Sequence, residues 1–392
     1  MSDLTLGDVL RLHGGAIKTG PFGTVLKASE YRPDGVPVIS VGEVGYGSLR
    51  IHSTTPRVGA ETLARLPEYT LSTGDVVFGR KGAVDRSAWV KPHEDGYFLG
   101  SDGIRVRFEG AVDSRFMAFQ LQSERARRYL LQHAAGTTML SLNQGTLESV
   151  PVVLPPLNEQ RGIAEVLGAL DDKIAANTRV LTAAEHLSAT LWEQTISGGE
   201  SVPLSSLADF VNGKAFTKGA TGTGRVVIRI AELNSGIGGS TVYNDLDVED
   251  QHLARPGDLL FAWSGSLTVH RWFRPEGIVN QHIFKVIPTS DHPMWLVHQA
   301  LQRKLPEFRA IAADKATTMG HIQRRHLDGL VPVPAPERVQ AMDELMGGLW
   351  NRSLRAEMEN ERLAQTRDGL LPLLMSGGVR VKDADAVVGE VL

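Results

Sequence analysis

Cysteine is absent from the 392 residues. That excludes disulfides, thiolate zinc sites and cysteine nucleophiles, and it suits a reducing cytoplasm. No apolar run approaches the ~20 residues that span a bilayer. The opening MSDLTLGDVLRLHGG lacks a basic flank followed by an apolar stretch, so it is not expected to be a signal peptide. A cytoplasmic protein without membrane contact is expected. Charge of either sign is not in large excess: the net charge is −4, which is not the footprint of a chain that grips nucleic acid alone.

Catalytic signatures are also missing. Gly222-Thr223-Gly224 and Gly236-Ile237-Gly238-Gly239 do not form a phosphate-binding GxGxxG between strand and helix, and there is no Walker loop. No Asn-Pro-Pro-aromatic string, HExxH or EF-hand loop occurs. His282, His292 and His298 are not at i, i+4 spacing, and Asp171-Asp172-Lys173 reads as the solvated face of a helix. No metal site is expected, and nothing points to catalysis by this chain itself.

What is present is a repeat. GTTMLSLNQGTLESVPVVLPPLNEQ (136–160) returns 180 residues later as ATTMGHIQRRHLDGLVPVPAPERVQ (316–340), and each copy leads into a long helical stretch ending in Ser-Gly-Gly. A period of that size is a whole domain plus its helix, not a solenoid unit. Net charge is +1 over residues 1–150, −4 over 151–200, +2 over 201–336 and −3 over 337–392. The globular parts are near neutral and the helical parts acidic.

The first copy reads as β with short helices. Strands are expected at Val36–Val41, Val76–Phe78, Ile104–Phe108 and Val150–Leu154, and a helix over 113–133. Pro155-Pro156 stops regular structure, and Asn158 is the expected N-cap of a long helix. Its apolar residues then recur at 4, 3, 4 spacing: Ile163, Leu167, Leu170, Ile174, continuing through Asn177, Leu181, Ala184, Ser188 and Leu191. At 1.5 Å per residue that helix would be about 60 Å long. The second copy matches strand for strand: VVIRI (226–230) with VPVISV, PGDLLFAWSGSLTV (256–269) with TGDVVFGRKGAVDR (73–86), and VNQHIFKVIP (279–288) with LGSDGIRVRF (99–108). Its helix carries Met342, Met346, Leu349, Ala356, Leu363, Leu370 and Leu374 on one face. An acidic rod with one apolar stripe needs a partner helix, and antiparallel pairing of the two rods is the simplest arrangement. Asn177 and Asn360 either set register in the seam or lie in water at its edge.

The expected fold is α+β: two tandem α/β domains, each followed by a long helix, the helices pairing as an antiparallel coiled coil about a pseudo-two-fold. The expected boundaries are 1–157 and 200–336 for the domains, 158–199 and 337–378 for the helices, and 379–392 for a tail.

LPPLNEQRGIAEVLGALDDKI (154–174), KTGPFGTVLKASEY (18–31), PGDLLFAWSGSLTVHRW (256–272) and VNQHIFKV (279–286) together resemble the specificity subunits of type I restriction–modification systems. The resemblance covers all but the last fourteen or so residues. The second copy departs from it at Ala335-Pro336-Glu337-Arg338-Val339-Gln340, where Pro-Pro-Leu and Glu-Gln-Arg are lost. The resemblance implies a subunit without an active site or cofactor of its own. It would read a bipartite double-stranded DNA target and recruit two modification subunits, which use S-adenosylmethionine to methylate adenine N6, together with endonuclease/translocase subunits. A stand-alone DNA-modifying enzyme and a protein scaffold without DNA binding are the alternatives.

Under that resemblance the loops after the Gly-Asp strands are the first expected DNA contacts. Arg80, Lys81 and Arg86 serve the first domain; Ser264, Ser266, His270 and Arg271 serve the second, with Trp263 assigned to the core. Arginine can take guanine bidentately and lysine can hold phosphate; the same residues can equally be ordinary polar turns. Lys18, Phe22 and Lys27, with Lys214 and Lys218 in the second copy, lie in glycine-bearing loops suited to crossing a DNA backbone. The Thr-Thr pairs (Thr137, Thr138 and Thr317, Thr318), with Asn143, Lys315, His321 and Arg324, are candidates for phosphate or base contact, or for turn and capping roles. Gln281 and His282 are candidates for adenine and phosphate, or for satisfying each other. Glu159, Gln160 and Arg161 are assigned to partner docking or to the helix start.

Overall fold

The computed structural model describes residues 4–136, 138–289, 292–314 and 320–392. Two units are resolved, Met1–Asp172 with Ala364–Leu392, and Lys173–Leu363. In the first unit, four antiparallel strands run in the order Gly15–Thr19, Gly103–Phe108, Val76–Gly79, Ser87–Trp89. A second sheet orders Tyr31–Arg32, Arg57–Val58, Val36–Ile39 and Phe98–Leu99, the last pair parallel. The other unit repeats the first sheet strand for strand and keeps the parallel pair of the second, whose fourth strand lies at the opposite edge. Ala208–Asn212, Ile283–Pro288, Leu259–Ala262 and Thr268–Arg271 form one sheet; Tyr243–Asn244, Arg225–Ile228, Gly277–Val279 and Leu253–Ala254 form the other, again with one parallel pair. The registers agree: Phe78 faces Ile104, and Phe261 faces Phe284.

The central strands are continuously apolar because both faces are covered. In Leu259–Ala262, Leu259 and Phe261 enter one core cluster while Leu260 and Ala262 enter another, as alternation along a strand requires. Each strand is launched by a Gly-Asp turn with positive φ at the glycine, Gly74 and Gly257. The aspartate then closes the turn: Asp75 accepts from the Ser72 amide and, at 2.7 Å on each oxygen, from Arg107.

Several local expectations shift. The strand at Val36 ends at Ile39, and that at 150–154 shrinks to Pro151–Val152, which pairs with Leu4–Thr5. The helix expected over 113–133 is two helices, Ser114–Gln122 and Glu124–His133, because Ser123 ends the first and caps the second. Its counterpart Met294–Asp314 is continuous. Asn158 is not an N-cap: the helix runs Leu157–Thr195, and the amides of Glu159 and Gln160 donate to the Pro156 carbonyl.

The two long helices, Leu157–Thr195 and Pro336–Ser376, pack together antiparallel. In the second unit Asn177 Nδ2 donates to Glu359 Oε2 at 2.9 Å and Lys173 pairs with Glu359 at 3.2 Å, while Arg338 reaches the terminal carbonyls of Gln194 and Thr195. Asn177 is buried, so it lies in the seam and not in water. Trp192 and Met346 of these helices enter the same core cluster as the sheet residues Phe261 and Phe284. In the first unit Arg367 pairs with Asp171 at 2.7 Å, and Ile163, Leu167, Leu170, Leu370 and Leu374 are buried. The expected tail is instead a helix, Val381–Val391, which buries Ala384 and Val388 and sets Val381 against Gly162.

Candidate nucleic-acid interface

In the first unit the loop joining Val76–Gly79 to Ser87–Trp89 is held open by its own backbone. The Arg80 amide donates to Asp102, its carbonyl accepts from Leu142, and the Gly82 amide donates to Leu140. Gly82 has φ +74°, a conformation that favours glycine. With the backbone committed, the side chains are presented outward. The Arg80 guanidinium lies 4.9 Å from the centre of the Phe22 ring, and Phe22 is 58% exposed. Lys81 is exposed and pairs with Asp102 at 3.1 Å.

Arg86 and Arg127 both lie over the ring of Tyr46, at 5.5 and 4.5 Å. The Tyr46 hydroxyl and Arg127 both donate to Asp85 at 2.9 Å. Burial works against the Asp85 carboxylate, but the Arg127 and Tyr46 hydrogen bonds outweigh it and its pKa is lowered. Asp85 therefore stays charged and fixes the stack. Thr138 and Met139, next to the Leu140 that holds this loop, are exposed, and Lys27 of the first domain is exposed too. This is a basic and aromatic surface, able to accept phosphate on its cations and to stack on its rings.

The sequence reading missed Tyr46 and Arg127. The signal was Gly45-Tyr46-Gly47, an aromatic held between two glycines, which marks a ring on a turn. Other expected residues have local duties. Lys18 is half-buried in its strand, with its ammonium 4.7 Å from the Tyr69 ring centre. Asn143 caps the helix Gln144–Glu148, accepting from the Thr146 amide at 2.8 Å.

In the second unit the corresponding loop starts at Trp263. Its indole donates to Asn212 at 2.8 Å and packs on His282 and Phe284, so the core assignment describes most of the ring. Ser264 is buried, bridged to His321, whereas Ser266 is exposed. His282 is the non-glycine residue with positive φ, +72°, among the described residues. Its carbonyl accepts from the Trp263 amide, and its buried Nδ1 has no partner among the described residues. Of the two alternatives for Gln281 and His282, the one in which they satisfy each other is not formed. Gln281 is exposed and its amide donates to the Lys214 carbonyl. Lys214 (paired with Glu249 at 3.1 Å), Lys218, His321 and Arg324 are exposed. A strained histidine among exposed polar side chains is a common signature of a functional surface.

Two assignments are corrected, and the alternative left open for Gln160 falls to the helix start. Arg271 does not face solvent: it is buried, bonded to Glu357 at 2.7 Å and Glu185 at 3.0 Å, with its guanidinium 4.4 Å from the Trp350 ring centre. It anchors the sheet on the paired helices. His270 lies beside it; burial first, then Arg274 and Arg271, push its pKa down to about 4, so it is neutral at pH 7. Gln160 is buried, accepting from the Asp113 amide at 2.9 Å and donating to the Pro155 carbonyl at 2.8 Å. It ties the helix start to the domain, while Glu159 and Arg161 on either side are exposed. Thr137, Lys315 and Thr317 lie outside the described residues. Among the described residues no cluster of three metal-ligating side chains occurs, and no helix is long and apolar enough to cross a membrane.

Residues 3–186 match the family model described as the type I restriction modification DNA specificity domain. The type I restriction enzyme MjaVIII specificity subunit of Methanocaldococcus jannaschii is 26% identical over 157 residues, which are 39% of this chain and 37% of that protein. The match thus spans little more than a third of that relative's length. The crystal structure of a type I restriction–modification S subunit from M. genitalium covers 95% of this chain and 96% of its own, with a TM-score of 0.61 at 13% identity. That similarity is one of fold.

Proposed function

We propose that this chain, whose residues 3–186 match the type I restriction modification DNA specificity domain, reads an asymmetric, bipartite DNA target and does no chemistry itself. Each domain reads one half-site through the loop after its Gly-Asp strand. Two modification subunits, carrying S-adenosylmethionine for adenine N6 methylation, and endonuclease/translocase subunits complete the assembly. One observation carries this reading: two domains whose four-stranded antiparallel sheets share one strand order present unlike loops at the same place. Arg80-Lys81, Phe22 and Tyr46 stand on one; Ser266, Gln281 and His282 stand on the other. Equal scaffolds with unequal loops suit two different half-sites. Near-neutral domains are sufficient where the modification subunits share the phosphate contacts that dominate affinity.

The test is base-resolution mapping of adenine methylation in host DNA with and without this gene, joined to selection from a random DNA pool with the co-expressed modification subunit. A split motif that disappears with the gene is expected. No enrichment with the modification subunit present would overturn the reading. Methylation by the purified chain alone would establish the enzyme alternative.

A further inference from the structure

Gly168 and Gly348 lie 180 residues apart, each eight residues after the glutamine that ends its repeat copy, and each is inside a long helix. In the first unit the reason for glycine is visible. Arg115, the second residue of the helix Ser114–Gln122, lays its guanidinium on Gly168, donating to the Gly168 carbonyl at 3.0 Å and to Asp172 at 2.8 Å. A Cβ at 168 would overlap the guanidinium carbon. The missing side chain is the seat of a cation.

In the second unit the same position at the start of Met294–Asp314 is Trp295. Its indole turns to Asp343, donating at 2.7 Å, and leaves the helix uncovered one turn further on. Gly347 and Gly348 there are adjacent, and a Cβ on either would meet nothing within 4 Å among the described residues. They floor an open depression of about 740 Å³ that Trp295, Trp350, Asp343 and Glu344 also line. Glu344 is exposed and forms no ion pair among the described residues. Two glycines in a helix interior destabilise it relative to alanine, and nothing within the unit uses the space they leave.

We propose that this notch receives an arginine side chain from the modification subunit, seated as Arg115 is seated on Gly168. This rests on the function proposed above. A planar guanidinium can lie flat on a bare helix, donate at once to a backbone carbonyl and a carboxylate, and shed water at less cost than an ammonium. The negative charge of Asp343 and Glu344 suits a cation and disfavours DNA phosphate.

The full-length chain with both Gly347→Ala and Gly348→Ala separates this from a merely structural role, because the two roles move opposite readouts. Thermal unfolding should be unchanged or higher, since alanine favours helix and meets no atom. Calorimetric affinity for the modification subunit should fall at least about 10-fold, and Glu344→Lys should fall comparably. Full affinity in the double variant would overturn the proposal. If the unaltered chain does not bind the modification subunit, the functional reading fails, and the notch is then judged alone. N-acetyl-arginine amide titrated into the chain should shift the Trp295 indole N–H resonance saturably, assigned with Trp295→Phe, more strongly than N-acetyl-lysine amide. The double variant should abolish that shift. No saturable shift in the unaltered chain would overturn the notch as an arginine site.

Discussion

Arg80 and Arg271 belong to corresponding hairpins of the two units, yet they do opposite work. Arg80 rests on an exposed ring, whereas Arg271 is buried between two carboxylates. Arg271→Ala leaves Glu357 and Glu185 without their cation and should lower stability by about 3 kcal/mol in chemical denaturation. Lys81→Ala should stay within about 0.5 kcal/mol of the parent. It should instead weaken DNA binding and reduce the slope of log K against log salt by about 1. His298 adds a pH signature. Burial, with Arg271 opposing and Glu185 favouring the charge, holds its pKa down to about 4, and the neighbouring His270 is held at about 4 as well. A histidine depressed on folding contributes stability that is fully present above its unfolded pKa near 6.5 and is lost as pH falls from there towards 4. The denaturation midpoint should therefore drop between pH 7 and pH 5, with His298 contributing on the order of 3 kcal/mol to the full change. A His298→Gln variant should show a flatter profile, and an unchanged profile would count against this assignment.

At the scale of elements, the long helices are stabilised less by their own propensity than by what each buries. Trp192 and Met346 join the core beneath the sheet, while Gly162 and Gly168 give up side chains so that Val381 and Arg115 can approach. The helix Val381–Val391 is amphipathic, and its buried Ala384 and Val388 cover part of the first unit. Truncation after Gly378 should expose that surface and lower the melting temperature by a few degrees, since about 1 kcal/mol corresponds to 2–4 °C in a unit of this size. Calorimetry of the truncated chain checks this; an identical melting curve would mean that the contact adds no stability. The break at Ser123 shows why the helix over 113–133 was read as continuous. Both pieces carry helical periodicity, and a serine that stops one and caps the next differs little in sequence from a serine on a helix surface.

For the whole molecule, the functional prediction is separability. Substitutions at Arg80, Lys81 or Tyr46 should change enrichment at one half of the selected DNA motif only, and substitutions at Ser266, Gln281 or His282 at the other half only. Sequencing of selected pools reads this directly, and a change spread over both halves would contradict one domain per half-site. The repeat, several of the central strands that recur in each copy and the apolar stripes of the long helices were legible along the chain. Periodicity and recurrence are local properties, and they survive without knowledge of what packs on what. Where a loop side chain ends was not legible. Arg80 and Arg271, or Gln160 and its exposed neighbours Glu159 and Arg161, are alike as residues and differ only in what surrounds them. Carboxylates brought from 86 positions away bury Arg271, and an amide 47 positions away captures Gln160. Such partners are set by the packing of the sheet on the helices, which no local pattern encodes.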